Sequence, residues 1–208
     1  MIRVAMLSFA HVHANGYAQQ VVDHPEAKIQ CIWEDDLARG EEAAERFDAP
    51  IFDDLEAVVS RDDVDAVVIN SYTSQHPRLI QTALRYNKHV FTEKALTIST
   101  EDAEAIVQAV NSSDIKFMIS LPRRTHPEIL FLKKVLDEGW LGDVTMMRAR
   151  LAHWASLDHW FQGGSAWFAD AERAGGGALF DLGCHMADVM RWFLGEPKSI
   201  MAKITNYA

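Results

Sequence analysis

Four clusters of polar residues stand where this chain can do chemistry. The first is Ser8-Phe9-Ala10-His11-Val12-His13, followed by Ala14-Asn15-Gly16. It separates an apolar run from a helical pattern. In a doubly wound fold that turn cradles a dinucleotide pyrophosphate: small residues let the backbone approach, and the helix N-terminus supplies N–H donors. Ser8 and Ala10 are small, His13 is not, and the usual glycines are absent. His11 and His13 are also metal-ligand types. A spacing of two with no carboxylate in fixed register is poor for a metal, so no metal site is expected. A plain structural turn with part-exposed histidines is the third reading.

The second cluster is Trp33-Glu34-Asp35-Asp36. Glu34 lies 21 positions after His13, and a carboxylate about 20 residues past the turn can bond the ribose hydroxyls of NAD. It would repel the extra phosphate of NADP, and no Arg stands beside it in the sequence. Acidic residues also begin helices for purely structural reasons. The third cluster is Thr92-Glu93-Lys94-Ala95-Leu96. Ligands of such sheets bind beyond the carboxyl ends of strands, where a Lys can share a proton with a substrate oxygen or clamp it. Otherwise Lys94 is an ordinary surface lysine. The fourth runs from Gly175-Gly176-Gly177 through Asp181 and His185 to Asp188. On an α-helix Asp181 and His185, four apart, share a face, and a carboxylate beside an imidazole orients it. A helix-capping Asp with a core His explains the pair as well.

The elements that must position these clusters follow from the apolar pattern. Strands are expected at residues 2–7, 29–33, 66–69, 89–92 and 116–120. Helices are expected at 15–22, 39–47, 55–59, 77–86 and 100–110, with Ser99 or Thr100 as a cap. Short strands alternating with helices predict a doubly wound parallel α/β sheet over residues 1–121. Residues 122–208 are expected to form a second, α+β region with an open sheet. It holds helices at 125–137 and 181–194 and strands at 144–151 and 199–207. Two strands alone make a marginal sheet, so the chain is expected to be a fragment, or a partner covers those strands. An incomplete sheet with alternating apolar strands favours association into a homo-oligomer.

Composition narrows the function. Of 208 residues, 49% are apolar and 24% charged, so a sizeable core can form. The formal net charge of -10 leaves no basic face for nucleic acid and disfavours anionic membranes. Cys31 and Cys184 form neither a disulfide framework nor a zinc spacing. No signal-peptide pattern opens the chain and no apolar run approaches a membrane span. A cytoplasmic protein is expected. Five of the six tryptophans lie in the second region; aromatic faces suit sugar C–H surfaces, though packing is their commoner use. His153 and Trp167 are candidates to line a substrate mouth.

Taken together, these residues resemble the glucose–fructose oxidoreductase, inositol dehydrogenase and MocA family. Glu93-Lys94 is similar to that family's Glu-Lys-Pro motif, with Ala95 in place of Pro. The run Gly175 to His185 resembles its Gly-rich Asp-x-Gly-x-His helix, and Arg191-Trp192-Phe193-Leu194-Gly195 extends the likeness. Ser71-Tyr72-Thr73-Ser74-Gln75-His76 looks like its Thr-Pro-x-x-x-His loop. The likeness spans nearly the whole chain.

The resemblance implies a Rossmann-type NAD(P)-binding domain and hydride transfer between a nicotinamide and a sugar, polyol or related carbinol. It implies Lys94, Asp181 and His185 as catalytic residues. His185 is then the general base on the substrate hydroxyl, Lys94 shares a proton with that oxygen, and Asp181 binds a neighbouring hydroxyl or orients His185. Cofactor contacts are implied at Ser8, Phe9, Ala10, His11, Val12, His13, Glu34, Ser71, Tyr72, Thr73, His76, Glu93 and Lys94. Lys94, His153, Trp167, Asp181 and His185 would meet the substrate. NAD is expected rather than NADP. NAD-dependent glycosidases and non-catalytic dinucleotide or sugar sensors share the pattern, and the altered turn also admits a chain that has given up the cofactor.

Overall fold

The computed structural model describes residues 1–155 and 158–205. They fall into two compact units. One comprises Met1–Ser120 with His153–Asp181, the other Leu121–Ala152 with Leu182–Ala208. The sequence pattern placed residues 153–181 with the second region; by contacts they cluster with the first.

The first unit is built on six parallel strands, β1 (Ile2–Leu7), β2 (Ala27–Trp33), β3 (Ile51–Phe52), β4 (Ala66–Ile69), β5 (His89–Thr92) and β6 (Phe117–Ile119). Their order is β3-β2-β1-β4-β5-β6, that of a dinucleotide-binding sheet. Strand direction reverses its winding between β1 and β4, so a crevice opens beyond their carboxyl ends. Five helices cross over between successive strands: α1 (Ala14–Asp23), α2 (Leu37–Phe47), α3 (Leu55–Val59), α4 (His76–Arg85) and α5 (Thr100–Asn111).

Helix packing on both sides makes each central strand apolar throughout. On β1, Ala5 and Leu7 join Val67, Ile69, Leu79 and Ile80 on one face. Val4 and Met6 join Ala14, Ala18 and Ile32 on the other. Side chains cap three of these helices: Ser99, expected as a cap, accepts from Asp102 N, and Asp36 and Asp54 accept from Arg39 N and Glu56 N. The short β3 escaped the sequence pattern because two residues carry no periodicity. Gly40 brings α2 close to the sheet; a Cβ there would stand 2.0 Å from Ile51 Cδ1 and 3.1 Å from Glu34 Cβ. The segment that returns to this unit carries a 3-10 turn, Gly163–Ala169, then α7 (Ala171–Ala174) and a π-helical turn, Leu179–Gly183.

Among the described residues the second unit carries two α-helices, α6 (Pro127–Asp137) and α8 (Cys184–Leu194), after a 3-10 turn, Pro122–Thr125. Arg124 forks onto Asp188 at 2.9 and 2.7 Å and lies over Trp192. The two strands expected here do not form among the described residues: 144–151 and 199–205 are irregular, and residues 206–207 lie outside the described part. A strand needs a neighbour to take its N–H and C=O groups, and the described residues offer none. Among the described residues no helix is long and apolar enough to cross a membrane.

Candidate active site and cofactor turn

The turn after β1 is held by a carboxylate. Ser8 is fully buried with φ 72, a left-handed conformation that non-glycine residues rarely adopt. Its Oγ lies 3.2 Å from both oxygens of Glu34 and accepts from Ala10 N at 3.2 Å. Phe9 N donates to Glu34 Oε2 at 2.7 Å. Arg39 then grips Glu34 with two bonds, Nε to Oε2 at 2.8 Å and Nη2 to Oε1 at 2.6 Å. Burial would lower the Arg39 pKa, but the bonds and charge of Glu34 outweigh it and hold the guanidinium above its usual range.

Glu34 was expected to face a ribose with no Arg beside it. Instead its side chain is sealed from solvent, and Asp35 N and Asp36 N also donate to it. Arg39, from the first turns of α2, is the partner that local sequence did not single out. The signal was present in the spacing: α2 begins three residues after Glu34, and Gly40 lets it close down. Arg39 Nη1 reaches Tyr72 Oη at 3.3 Å, and the ring of Tyr72 lies under the guanidiniums of Arg39 and Arg173.

A second buried carboxylate, Glu93, stands just past β5. It accepts from Tyr17 Oη at 2.6 Å and from Lys94 N at 2.9 Å, and pairs with His13 Nδ1 at 2.9 Å. Burial alone would raise its pKa. The His13 bond, the His11 ring and the Tyr17 bond bring it down to about 2, so it is a carboxylate and His13 Nδ1 carries the proton they share. Tyr17 is pushed well above the usual phenol range by burial and by donating to Glu93. Tyr17 also meets Ser120 at 2.7 Å. Neither Tyr17 nor Ser120 was singled out in the sequence, because Tyr17 lies 76 positions from Glu93 and 103 from Ser120. His11 is buried, 3.7 Å from Glu93 and edge-on to Phe168; burial lowers its pKa to about 3, against the pull of Glu93.

Lys94 is almost wholly buried, and its ammonium donates to the Asp181 carboxylate and, at 3.1 Å, to Asp181 O. These two candidates, 87 positions apart, therefore meet within the first unit. A small cavity of about 20 Å³, lined by Thr73, Lys94, Trp167, Phe168, Phe180 and Asp181, adjoins them. It has room for about one water. Trp167 connects this corner to the cofactor turn: its indole N–H donates to Ala10 O at 2.9 Å. Gly175 sits at φ +86, and a Cβ there would approach Ile98 Cγ1 to 2.8 Å, so the Gly-rich run packs where a side chain would not fit.

The remaining candidates are placed as follows. Phe9 is buried and stacks on Phe47, whereas Val12 is exposed. Ser71 and Thr73 are buried at the end of β4 and in the following 3-10 turn. His76 is buried and donates from Nδ1 to Ala95 O at 2.9 Å. His153 stacks on Trp154 and meets Trp160 edge-on. Asp181 lies in the π-helical turn, and His185 lies on α8 in the second unit.

Sequence comparison identifies the relatives. Residues 2–121 match the family model described as oxidoreductase family, NAD-binding Rossmann fold. This chain belongs to the GFO/IDH/MocA oxidoreductase family. Residues 129–208 match the GFO/IDH/MocA C-terminal domain. Among curated GFO/IDH/MocA relatives, inositol 2-dehydrogenase of Rhizobium meliloti is 32% identical over 149 residues, covering 71% of this chain and 42% of its own length. A dTDP-3,4-didehydro-2,6-dideoxy-alpha-D-glucose 3-reductase of Actinomadura kijaniata is 28% identical over 99% of this chain and 60% of its own. The chain spans about half the length of the curated relatives it matches. Among solved GFO/IDH/MocA structures, scyllo-inositol dehydrogenase from Lactobacillus casei with bound NAD(H) and scyllo-inositol superposes with a TM-score of 0.81. The two are 27% identical, and the match covers 94% of this chain and 56% of that one.

Proposed function

We propose that this chain carries the dinucleotide-binding and proton-transfer elements of an NAD-dependent dehydrogenase acting on a CH–OH group of a sugar or polyol. One observation carries the reading: Trp167 bonds to the cofactor turn at Ala10 and lines the same cavity as the Lys94–Asp181 pair. The relatives named for inositol and deoxysugar substrates point to the substrate class.

The turn fits a dinucleotide pyrophosphate. His13, at the N-cap of α1, makes no side-chain cap bond, and no acidic residue stands in the first turn, so the helix end favours an anion. Ser71, Tyr72, Thr73 and His76 would border the dinucleotide along the end of β4. When bound, NAD supplies the hydride acceptor. Lys94 holds the substrate oxygen and shares its proton, and Asp181 keeps the Lys94 ammonium in place until substrate displaces it. Glu93 fixes the Lys94 backbone through its N–H. His185 is proposed as the general base on the hydroxyl from its place in the Asp181-x-Gly183-x-His185 motif alone. His153 and Trp167 are proposed substrate contacts on the aromatic side.

NAD is preferred to NADP because Asp35 and Asp36 stand with Glu34 at the end of β2, and the Arg39 guanidinium beside them is committed to these carboxylates. The proposal extends to a cytoplasmic homo-oligomer without nucleic-acid or membrane partners. An apolar trough of about 200 Å³ between Leu132, Leu136, Leu141, Met146 and Phe193 supports association. Titrating the protein with NAD and NADP, read by tryptophan fluorescence, tests the cofactor. NADH formation with inositols and hexoses tests the reaction. NAD should bind at least tenfold tighter than NADP; no quenching by either would refute the cofactor assignment.

A further inference from the structure

The sequence offers His11 and His13 without a carboxylate in register. The fold supplies one. Glu93, brought in from 80 positions away, places Oε1 at 2.9 Å from His13 Nδ1 and Oε2 at 3.7 Å from His11 Nε2. One ligand atom from each of the three lies within 4.8 Å of the others. We propose that His11, His13 and Glu93 form a binding site for a divalent transition metal of the zinc class, at the same turn that the dinucleotide reading gives to the cofactor.

Three features argue for a site over a chance cluster. The first is an unsatisfied ligand: the His11 side chain is 1% exposed, and its Nε2 has no hydrogen-bond partner. A buried polar nitrogen left without a partner is costly, and a cation between it and Glu93 would satisfy it.

The second is dimensions. Zinc binds imidazole nitrogen and carboxylate oxygen at about 2.0–2.2 Å, and tetrahedral geometry then sets ligand atoms roughly 3.3 Å apart. The two histidine nitrogens stand 2.9 and 3.7 Å from the two oxygens of Glu93, on either side of that value, and His13, with half its side chain exposed, has freedom to swing into place and leaves a way in from solvent. Two imidazoles with one carboxylate are the donor set of zinc and its neighbours, whereas magnesium and calcium prefer all-oxygen sites.

The third is support around the ligands. Tyr17 Oη and Lys94 N orient the two oxygens of Glu93. Ser120 steadies Tyr17, and Trp167 and Phe168 wall the His11 ring. Such outer contacts fix ligand geometry. Ligation through His11 Nε2 shifts the ring proton to Nδ1 and gives up the long 3.2 Å bond from His13 N. With three protein ligands the ion would keep an open position for water.

The test uses the whole chain, stripped with a chelator and free of dinucleotide. Zinc is then titrated by calorimetry and by competition with a chromophoric chelator, with magnesium as the contrasting ion. The expected result is one zinc per chain, binding at micromolar concentration or tighter, with no heat from magnesium. His13→Ala and Glu93→Gln should each weaken zinc at least tenfold, and His13→Asp should recover part of the loss. His24→Ala, a change to an exposed histidine on another turn, should leave binding intact. Zinc should also raise the melting temperature of the unaltered chain but not of His13→Ala, because only the native site binds. Cobalt should give the visible bands of a four-coordinate ion. The proposal is overturned if zinc fails to bind at micromolar concentration, or if His13→Ala binds it as well as the unaltered chain.

Discussion

Glu34 and Glu93 each stand just past the end of a strand, each is sealed from solvent, and they are held in opposite ways. Glu34 has a permanent cation, Arg39, plus Ser8 and the backbone of Phe9. Its surroundings do not titrate at ordinary pH. Glu93 has two imidazoles and a phenol, groups that can lose, gain or trade protons and ligands. The first carboxylate locks the cofactor turn. The second joins that turn to Lys94 and keeps its partners responsive. Burial by itself says nothing of role; the partners decide it.

The largest expected effect lies on the responsive side. Lys94→Ala should lower kcat of the proposed dehydrogenase reaction by about 10²–10⁴-fold, the usual reach of acid–base assistance. The dissociation constant for NAD should change little, because Glu93 and not Lys94 ties this loop to the turn. Steady-state rates with a fluorescence titration check both; a full-rate variant would remove Lys94 from the chemistry.

The locked side should answer in stability. Arg39→Ala leaves the Glu34 charge buried without its cation and should cost about 2–4 kcal/mol. That is below the ~3–5 typical of fully buried pairs because Arg39 keeps some contact with solvent. Urea unfolding measures it. A loss under 1 kcal/mol would mean that Glu34 relaxes to water.

Acidification should then act through the responsive side. His11 stays neutral in the fold down to about pH 3, against an ordinary value of 6.5. Between those values the unfolded chain binds a proton that the folded chain refuses. Stability therefore falls as pH drops below about 6.5, by at most about 1.4 kcal/mol per unit. Glu93 contributes stability that is present above its ordinary value of 4.5 and lost as pH falls through about 2. Melting curves from pH 7 to 5 should show the decline, and His11→Asn should flatten it. The smallest effect is expected at Ser8→Gly. It relieves the φ of 72 but forfeits the hydroxyl on Glu34, so the two terms should cancel to within about 1 kcal/mol. Calorimetric melting would detect a larger change of either sign.

Much of the first unit was legible in advance. Strands at 2–7, 66–69 and 89–92 stood out because a doubly covered parallel strand is apolar throughout. Ser99 marked a helix start by residue type. The second unit was less legible: 144–151 alternates like a strand, yet pairing is a property of neighbours and not of one segment. The candidate residues were recognisable by type and position, Lys94 at a strand end and Asp181 in the Gly-rich run, but their partnership was not.

The amino-acid sequence alone determined the sheet class, most strands and helices of residues 1–120 and the family, since these rest on periodicity, caps and motifs that neighbours in the chain encode. Tertiary structure alone decided that Lys94 meets Asp181 and that Glu93 faces two histidines. Side-chain electrostatics act over a few ångströms of space, and between positions 87 or 80 apart only the folded chain sets that distance.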